Sequence, residues 1–291
     1  MLPATLKREV RTLLTGLAFG ESPRWNGDRL WLADWGAREI VAVDPVGNRE
    51  VMARVDFPAF PMCFDWLPDG RLLVVSSRNG LLLRRESDGA LVTHADLSGL
   101  VKDGQPWNEI VVDGGNAYIN NIGFEFPGGE FAPGTIALVT PDGSTRRVAD
   151  DVAFPNGMAV TADNSTLILA ESYGQRLTAF DISADGNLSN RRVWAETPGD
   201  HPDGICLDAE KAVWYADVGN KRCVRVREGG AVLQTVDLDR GCFACMLGGM
   251  DRKTLFMVAT EWHGTERNMA GGERTGQVLT LEAPARGVGW P

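Results

Sequence analysis

An internal repeat runs through this chain and constrains its fold more than any other feature of the sequence. Each unit opens with a turn containing Gly, Pro, Asn or Asp, continues through a short apolar strand and a D-G or G-N turn, and ends in strands rich in Leu, Val, Trp or Tyr. The openings recur about every 40 to 50 residues, which is the spacing of β-propeller blades. We identify six units, which open at Gly20, Cys63, Trp107, Phe154, His201 and Cys245.

The repeat also predicts how many domains are present. Each unit offers three or four short strands, and the 3.6-residue periodicity of helices is nearly absent. We therefore predict an all-β protein in which residues 1–291 form a single six-bladed β-propeller, since no linker divides the chain. Residues 11–15 are strand-like but have no partner in their own unit. We expect them to join the sixth blade and close the ring, which would hide sheet edges.

Charge and composition narrow the possible partners. The chain has 29 basic and 39 acidic side chains, a formal net charge of −10, which repels the phosphates of nucleic acids and anionic membrane surfaces. It lacks an apolar run of the roughly 20 residues that a membrane-spanning helix requires, and residues 1–20 lack the layout of a signal peptide. We expect a cytoplasmic protein that binds neither nucleic acid nor membrane. The sequence leaves its oligomeric state open.

The cysteines do not resemble a disulfide framework. They are odd in number and scattered, and Cys242 and Cys245 have the C-x-x-C spacing of zinc and redox sites without a second pair nearby. We interpret all of them as structural thiols in a reducing compartment. The full set is Cys63, Cys206, Cys223, Cys242 and Cys245.

Polar side chains at the blade openings are the candidates for a functional site. In a propeller these turns lead into the innermost strands, whose ends surround the central channel, so we expect their side chains to converge. Glu21 in G-E-S-P, Asn156 in F-P-N-G-M and Asp203 in H-P-D-G-I provide two carboxylates and one amide oxygen. Such oxygens suit a hard cation such as Ca²⁺ or Mg²⁺ better than zinc, which prefers nitrogen and sulfur. Asn108, in P-W-N-E, is a fourth candidate oxygen ligand.

Each of these residues also has a purely structural interpretation. Asn-Gly and Asp-Gly are common turn dipeptides, because Asn and Asp tolerate left-handed geometry and hydrogen-bond to their own backbone. Their equivalent positions in successive repeats favour the functional interpretation. The Asp-Gly pairs at 69–70 and 142–143 fall between strands instead, and we predict hairpin turns there.

Four ordered motifs resemble those of the regucalcin and gluconolactonase family, also called the senescence marker protein family. They are G-E-S-P-R-W around Glu21, P-W-N-E around Asn108, F-P-N-G-M-A around Asn156 and H-P-D-G-I-C-L-D around Asp203. The resemblance covers nearly the whole chain and implies a six-bladed propeller that holds a divalent ion and hydrolyses a small lactone. It implies that Glu21, Asn156 and Asp203 are metal ligands. It also implies that Asn108 binds metal or substrate.

The same resemblance implies a mechanism. Calcium is the ion we expect, with Zn²⁺, Mg²⁺ and Mn²⁺ as alternatives. The cation would polarise the lactone carbonyl and stabilise the oxyanion, while Asp203, as general base, takes a proton from the attacking water. Glu109 is the reserve candidate for the base. His201 could pass protons, although a surface or turn histidine is the plainer interpretation.

The chain departs from the family at its third blade. Sugar-lactone members often carry an arginine two positions before the asparagine, where this chain has Pro106, and often follow the asparagine with Asp, where it has Glu109. These differences favour a less hydroxylated or aromatic lactone. The predicted substrate contacts are Asn108, Trp107, Glu109 and Asn121. The aromatic residues expected near the channel mouth are Trp35, Trp107, Phe124, Tyr173 and Trp262.

Two other functions stay open from the sequence. The same cation would polarise a phosphoryl oxygen, so a metal-dependent hydrolase of aryl esters or phosphotriesters is one alternative. A non-catalytic propeller that binds ligands is the other, since a fold does not fix a function. A serine hydrolase is disfavoured, because the sequence has no G-x-S-x-G motif and its histidines, His94, His201 and His263, are isolated from one another.

Overall fold

The computed structural model describes residues 9–269 and 274–291. Strand β1 spans Arg11–Leu17 and belongs to the sixth sheet. The first sheet contains β2 (Gly20–Asn26), β3 (Arg29–Asp34), β4 (Glu39–Val43) and β5 (Arg49–Arg54). The second contains β6 (Met62–Trp66), β7 (Leu72–Ser76), β8 (Leu81–Arg85) and β9 (Leu91–Asp96). The third contains β10 (Trp107–Asp113), β11 (Asn116–Asn121), β12 (Gly134–Val139) and β13 (Thr145–Val152).

The remaining three sheets follow the same plan. The fourth sheet contains β14 (Pro155–Val160), β15 (Thr166–Glu171), β16 (Arg176–Ile182) and β17 (Leu188–Glu196). The fifth contains β18 (Pro202–Asp208), β19 (Ala212–Asp217), β20 (Arg222–Arg227), β21 (Val232–Asp237) and β25 (Gly287–Val288). The sixth contains β22 (Gly241–Gly248), β23 (Thr254–Thr260) and β24 (Gly276–Glu282) together with β1. Helices in the described residues are short: 3₁₀ turns at Ser77–Asn79 and Ser98–Leu100, and α1 at Thr265–Met269. No helix in these residues has the length and apolar character needed to span a membrane.

The first strand of each sheet lies at the centre of the molecule. The strands β2, β6, β10, β14, β18 and β22 contact one another in this order, and β22 returns to contact β2. Every residue of β10 is buried, whereas the outermost strand β21 is mostly exposed. The apolar core fills the spaces between neighbouring sheets, as between the fifth and sixth, where Trp214 and Met257 belong to one cluster of buried residues. The six-bladed β-propeller predicted from the repeat is confirmed.

Ring closure also follows the prediction. β1 pairs antiparallel with β24, with Arg11 opposite Thr280 and Leu17 opposite Gly276. The sixth blade is therefore completed by a strand from the other end of the chain. One boundary differs by several residues from the predicted repeat: β22 begins at Gly241 instead of Cys245, because the sixth opening lacks the Glu, Asn or Asp that marks the others.

Five of the six inner strands carry a β-bulge close to their first residue. In β10, β14 and β18 the bulge begins directly after Trp107, Pro155 and Pro202, and β2 and β22 contain similar shifts. β6 pairs with β7 without a shift. Because a bulge takes side chains out of the regular alternation of a strand, it can direct polar residues toward the channel.

The C-terminal segment crosses the far end of the channel. β25 pairs with Leu207 and Asp208, at the end of β18, and Trp290 forms a bridge with Val160, the last residue of β14. At Gly289 the backbone has a φ of +74°, and a Cβ there would lie 2.3 Å from the carbonyl oxygen of Val160. This close approach requires glycine, and the bulged ends of the inner strands lie at the opposite mouth.

Candidate functional site

A cavity of about 300 Å³ opens at the end of the channel where the inner strands begin. Glu21, Asn108, Asn156 and Asp203 all line it. Each is the second residue of its strand, in β2, β10, β14 and β18 respectively. The structure thus brings together the four oxygen-bearing residues that the repeat singled out.

Hydrogen bonds between blades fix the positions of these residues. The Nδ2 of Asn108 donates to the carbonyl of Pro155 at 3.0 Å, and the Oγ of Ser172 donates to the carbonyl of Pro202 at 2.8 Å. Each proline immediately precedes a cavity-lining residue, so each bond holds the start of the next inner strand. With its amide nitrogen committed to the protein, Asn108 has its oxygen available for a ligand.

The glycines that follow Asn156 and Asp203 serve close packing. A Cβ at Gly157 would lie 2.6 Å from the carbonyl oxygen of Asp203, and a Cβ at Gly204 would lie 2.5 Å from the Cβ of Ala244. Both glycines belong to strands, β14 and β18. The Asn-Gly and Asp-Gly dipeptides here are therefore not turns. Glycine allows neighbouring inner strands to approach each other at the channel.

Burial gives the two carboxyl groups of the cavity unusual pKa values. Burial, and then the negative charge of Glu109, raise the pKa of Glu21 to about 8. The N–H of Ser22, which donates to Glu21 Oε2 at 2.8 Å, and the nearby Arg24 partly offset this rise. The pKa of Asp203 is raised well above its ordinary value by burial, then by the charges of Glu21 and Glu109. Each carboxylate is therefore costly to ionise without a counter-charge.

The donor set fits a hard divalent cation. Within residues 9–269 and 274–291, the Oδ1 of Asp203 is buried with no hydrogen-bond partner, and such an oxygen needs a compensating charge or donor. The same residues contain no group of three or more His, Cys, Asp or Glu side chains arranged to hold a metal. The cavity instead combines two carboxylates with two amide oxygens, which is a mixture typical of calcium sites.

Glu109 is placed differently from the cavity residues. Its carboxylate accepts hydrogen bonds from Arg24 Nη2 at 3.0 Å, from Ser22 Oγ at 3.1 Å and from the N–H of Ile110 at 2.9 Å. Arg24 also lies 3.8 Å from Asp65 of the second blade. These buried charges join the first three blades along the channel, and Glu109 is not among the residues that line the cavity.

Trp107 and Asn121 lie beside the cavity without lining it. Trp107 is 1% exposed and Asn121 is 0% exposed, and the two residues pair across β10 and β11. The Nδ2 of Asn121 donates to the carbonyls of Gln105 and Pro106, and its Oδ1 accepts from the N–H of Gly123. Asn121 thus supports the backbone of its own blade, and Trp107 packs in the apolar core, so their contact with substrate stays a prediction.

The role of Asn121 is repeated in other blades. Asp34, at the equivalent end of β3, accepts hydrogen bonds from the N–H groups of Ala18 and Phe19. Glu171, at the end of β15, accepts one from the N–H of Ala153. A polar residue at the end of the second strand therefore fixes the loop that leads into the first strand. Aligning the repeats by their second strands would have given this assignment from the sequence.

Aromatic rings form the walls of the cavity. Its polar floor is formed by Glu21, Asn108, Asn156 and Asp203. On one side Trp262, Phe243, Phe19 and Trp35 follow one another with centroid separations of 5.5, 4.7 and 5.1 Å. On the other side Phe60, Phe126, Phe154 and Tyr173 follow with separations of 6.3, 5.0 and 4.6 Å. Trp35 and Phe60, 5.3 Å apart, join the two sides. We call these eight cavity-lining residues the aromatic arc.

The arc was found only in part from the sequence. Trp35, Tyr173 and Trp262 line the cavity as predicted, whereas Phe124 does not, because it packs behind Phe126 and Phe154. The five phenylalanines of the arc were missed. One available signal was an aromatic residue just before the inner strands of blades one, two and four, at Phe19, Phe60 and Phe154.

The arc is open at the fifth blade. His201, Val218 and Gly219 line the cavity there, and His201 is exposed. The opening therefore lies next to Asp203, on the same blade. It is the polar side of the mouth.

Comparison with known proteins gives a consistent result. Residues 19–261 match the family described as SMP-30/Gluconolactonase/LRE-like region. The chain is 31% identical over 157 residues to regucalcin from Danio rerio, covering 48% of this chain and 53% of that relative. It is 30% identical over 168 residues to diisopropyl-fluorophosphatase from Loligo vulgaris, covering 52% of each. In these alignments the chain spans about half the length of both relatives.

Solved structures show the same fold. The calcium-binding protein regucalcin from Agrobacterium tumefaciens superposes with a TM-score of 0.77, covering 97% of each chain at 20% sequence identity. At this identity the likeness extends to the architecture of the propeller alone.

Proposed function

The chain belongs to the SMP-30/Gluconolactonase/LRE-like family, as its four motifs predict, and on that basis we propose that it is a divalent-metal-dependent hydrolase that opens a small lactone ring. The observation that carries the proposal is the floor of the cavity. There two carboxyl groups with raised pKa values meet two amide side chains, and one buried oxygen of Asp203 lacks any hydrogen-bond partner in the described part of the chain.

Each floor residue has a role in this proposal. Glu21, Asn156 and Asp203 would hold the ion, which we take to be calcium, and Asn108 would offer its amide oxygen to the ion or to the substrate. When bound, the cation supplies Lewis acidity to a carbonyl oxygen. The aromatic arc shields the floor from bulk water, which strengthens electrostatic interactions inside the cavity.

The chemical step is a hydrolysis. A water oxygen bonds to the acyl carbon of the lactone, the bond between that carbon and the ring oxygen breaks, and the ring oxygen receives a proton to give a hydroxy acid. Asp203 accepts the proton of the attacking water at a carboxylate oxygen and returns it to the ring oxygen as the ring opens. The contacts of Glu109 support this choice of base, because Arg24, Ser22 and the Ile110 N–H already occupy its carboxylate.

The experiment that tests the proposal is restoration of activity to metal-stripped protein. Sugar, aliphatic and aromatic lactones are assayed with Ca²⁺, Mg²⁺, Mn²⁺ and Zn²⁺ added back one at a time. We expect hydrolysis of at least one lactone to require an ion. Equal turnover with and without metal would contradict metal dependence, and no turnover of any lactone under any ion would contradict a lactonase.

A phosphotriester hydrolase is a second candidate. It is favoured by the match to a protein named diisopropyl-fluorophosphatase, which covers 52% of this chain. The same floor could polarise a phosphoryl oxygen through the bound cation. A phosphotriester panel run beside the lactone panel under one metal separates the two, since the lactonase proposal requires the higher kcat/KM for a lactone.

A further inference from the structure

The walls of the cavity differ in chemistry from its floor. The aromatic arc presents ring faces and edges along blades six, one, two, three and four, and its neighbouring rings are no more than 6.3 Å apart. Such a surface gains free energy by covering apolar or aromatic groups of a ligand. It offers few partners to a ligand hydroxyl.

The polar groups of the walls are already in use or lie at the exposed rim. The Nε1 of Trp35 donates to the carbonyl of Met62 at 2.5 Å, and the Oγ of Ser172 donates to the carbonyl of Pro202. Tyr173 is 51% exposed and Trp262 is 42% exposed, and His201 is also exposed. A hydroxyl that entered the cavity would therefore lose its water and gain no buried donor or acceptor from the walls.

The floor cannot serve the same hydroxyls. In the proposed function its oxygens face the cation and the reacting carbonyl. A lactone with several hydroxyls would therefore lose free energy of binding for each hydroxyl that it buries. A lactone with a phenyl or alkyl group would instead place that group against the arc.

From this division we infer the substrate class: a lactone whose ring carries an aromatic or alkyl substituent and no free hydroxyls. The inference rests on the proposed lactonase function and extends it. The carbonyl of the lactone faces the floor at Asp203. The substituent lies against the rings of the arc, which runs from Trp262 to Tyr173. The polar edge of the lactone ring then faces His201, at the fifth blade, where the arc has no ring.

A matched series of six-membered lactones tests the inference. The unsubstituted δ-valerolactone is compared with its phenyl and pentyl derivatives, substituted at the carbon beside the ring oxygen, and with glucono-δ-lactone. Each kcat/KM is divided by the rate constant for hydrolysis of that lactone by hydroxide, which removes differences in intrinsic reactivity. We expect the phenyl and pentyl compounds to exceed glucono-δ-lactone by about tenfold or more. An equal or higher value for glucono-δ-lactone overturns the inference.

Calorimetry separates this inference from the proposed function. If no lactone is turned over, the lactonase proposal fails, and binding of the phenyl lactone and of glucono-δ-lactone still measures the preference of the cavity. Tighter binding of the phenyl compound supports the assignment of the arc. Equal or weaker binding of the phenyl compound overturns it.

Variants locate the preference in the arc. Tyr173 stacks on Phe154 at one end of the arc, so Tyr173→Ala should lower the relative kcat/KM for the phenyl lactone about fivefold or more, the scale of lost packing in an apolar pocket. δ-Valerolactone should be little affected, and Tyr173→Phe should restore the preference. The matched control is Phe131→Ala, because Phe131 is 50% exposed and contacts Tyr173 but does not line the cavity. Equal losses in Tyr173→Ala and Phe131→Ala would overturn the assignment.

Discussion

Arg24 and Glu109 form a buried ion pair in the channel, with Nη2 of the arginine 3.0 Å from Oε1 of the glutamate. Both side chains are less than one-tenth exposed. The pair gives Glu109 a buried partner, and Glu109 does not line the cavity, so the pair bears directly on which carboxylate acts as the base.

Replacing Asp203 and Glu109 one at a time by their amides distinguishes the general base from a structural carboxylate. We expect Asp203→Asn to abolish turnover even at saturating metal, because an amide can ligate weakly but cannot accept the proton. We expect Glu109→Gln to lower the free energy of unfolding by about 1.5–3 kcal/mol, because Arg24 loses its charged hydrogen-bond partner and keeps only Asp65, 3.8 Å away, as a counter-charge. Its turnover per folded molecule should be retained.

Urea unfolding and kcat at saturating metal measure both effects. The control for Glu109→Gln is the double variant with Arg24→Met, which removes both charges of the pair. Because Asp65 then loses the Arg24 charge as well, only part of the lost stability should return. Turnover by Asp203→Asn together with a folded but inactive Glu109→Gln would move the base to Glu109 and leave Asp203 as a ligand only.

Metal binding should depend on the carboxylates of the floor. A cation that binds only the folded protein stabilises it by mass action, by about 2.7 kcal/mol when its concentration is 100 times its Kd. We expect calcium to raise the Tm of the unaltered protein and to raise the Tm of Glu21→Gln or Asp203→Asn much less. Glu130→Gln is the control, since Glu130 is exposed on a loop. Unchanged calcium affinity in both floor variants would refute the ligand assignment.

The stability of metal-free protein should fall as the pH rises. The pKa of Glu21 is about 8 in the folded protein against an ordinary value of 4.5. Between these values the folded state holds a proton that the unfolded chain has released, so this contribution is complete below pH 4.5 and is lost as the pH rises toward 8. Each unit of pKa difference corresponds to about 1.4 kcal/mol, so a loss of a few kcal/mol is expected.

Urea titrations of metal-free protein at pH 5.5 and pH 8 measure this loss. Saturating calcium should reduce the difference, because the cation stabilises the ionised carboxylates. Glu21→Gln should also reduce it, although Asp203, whose pKa is raised in the same direction, would still contribute. A metal-free protein that becomes more stable between these two pH values would contradict the electrostatic description of the site.

The glycines beside the site should be sensitive to a single added methyl group. Gly157→Ala and Gly204→Ala would press a Cβ against the neighbouring inner strand at 2.6 and 2.5 Å. We expect each to lower the free energy of unfolding by about 1–3 kcal/mol, the usual cost of overpacking, and to weaken calcium binding by moving an inner strand. Gly99→Ala is the control, because no atom lies within 4 Å of its added Cβ. Wild-type stability in both test variants would show that the blades can separate freely.

Much of the site could be predicted from the sequence, because it lies at repeated positions. Glu21, Asn108, Asn156 and Asp203 occur at the same step of four units, and equivalent steps of a propeller meet at one end of its channel. Trp107 is one residue from this step. It is buried in the apolar core while Asn108 lines the cavity, because successive side chains of a strand point to opposite faces.

The remainder of the site depends on contacts that have no period. Phe126 and Trp262 reach the cavity from connecting segments between the strands. Glu109 meets Arg24 across 85 positions of the sequence. Sequence spacing alone could not show that these side chains meet, because the loops differ in length and shape from blade to blade. Three-dimensional packing was needed to reveal an apolar wall over a polar floor.

The pairing of β1 with β24 has a consequence for how the molecule assembles and opens. Leu17 is paired only when Gly276 has reached its place, so the ring closes through a contact between segments very far apart in the chain, and contacts of this kind slow folding. Once the ring has closed, each blade is held by neighbours on both sides. The distance between Glu21 on the first blade and Asp203 on the fifth blade is then held constant by the contacts of all the blades around the ring. Release of a bound cation would therefore report opening of the ring at the junction of β1 and β24.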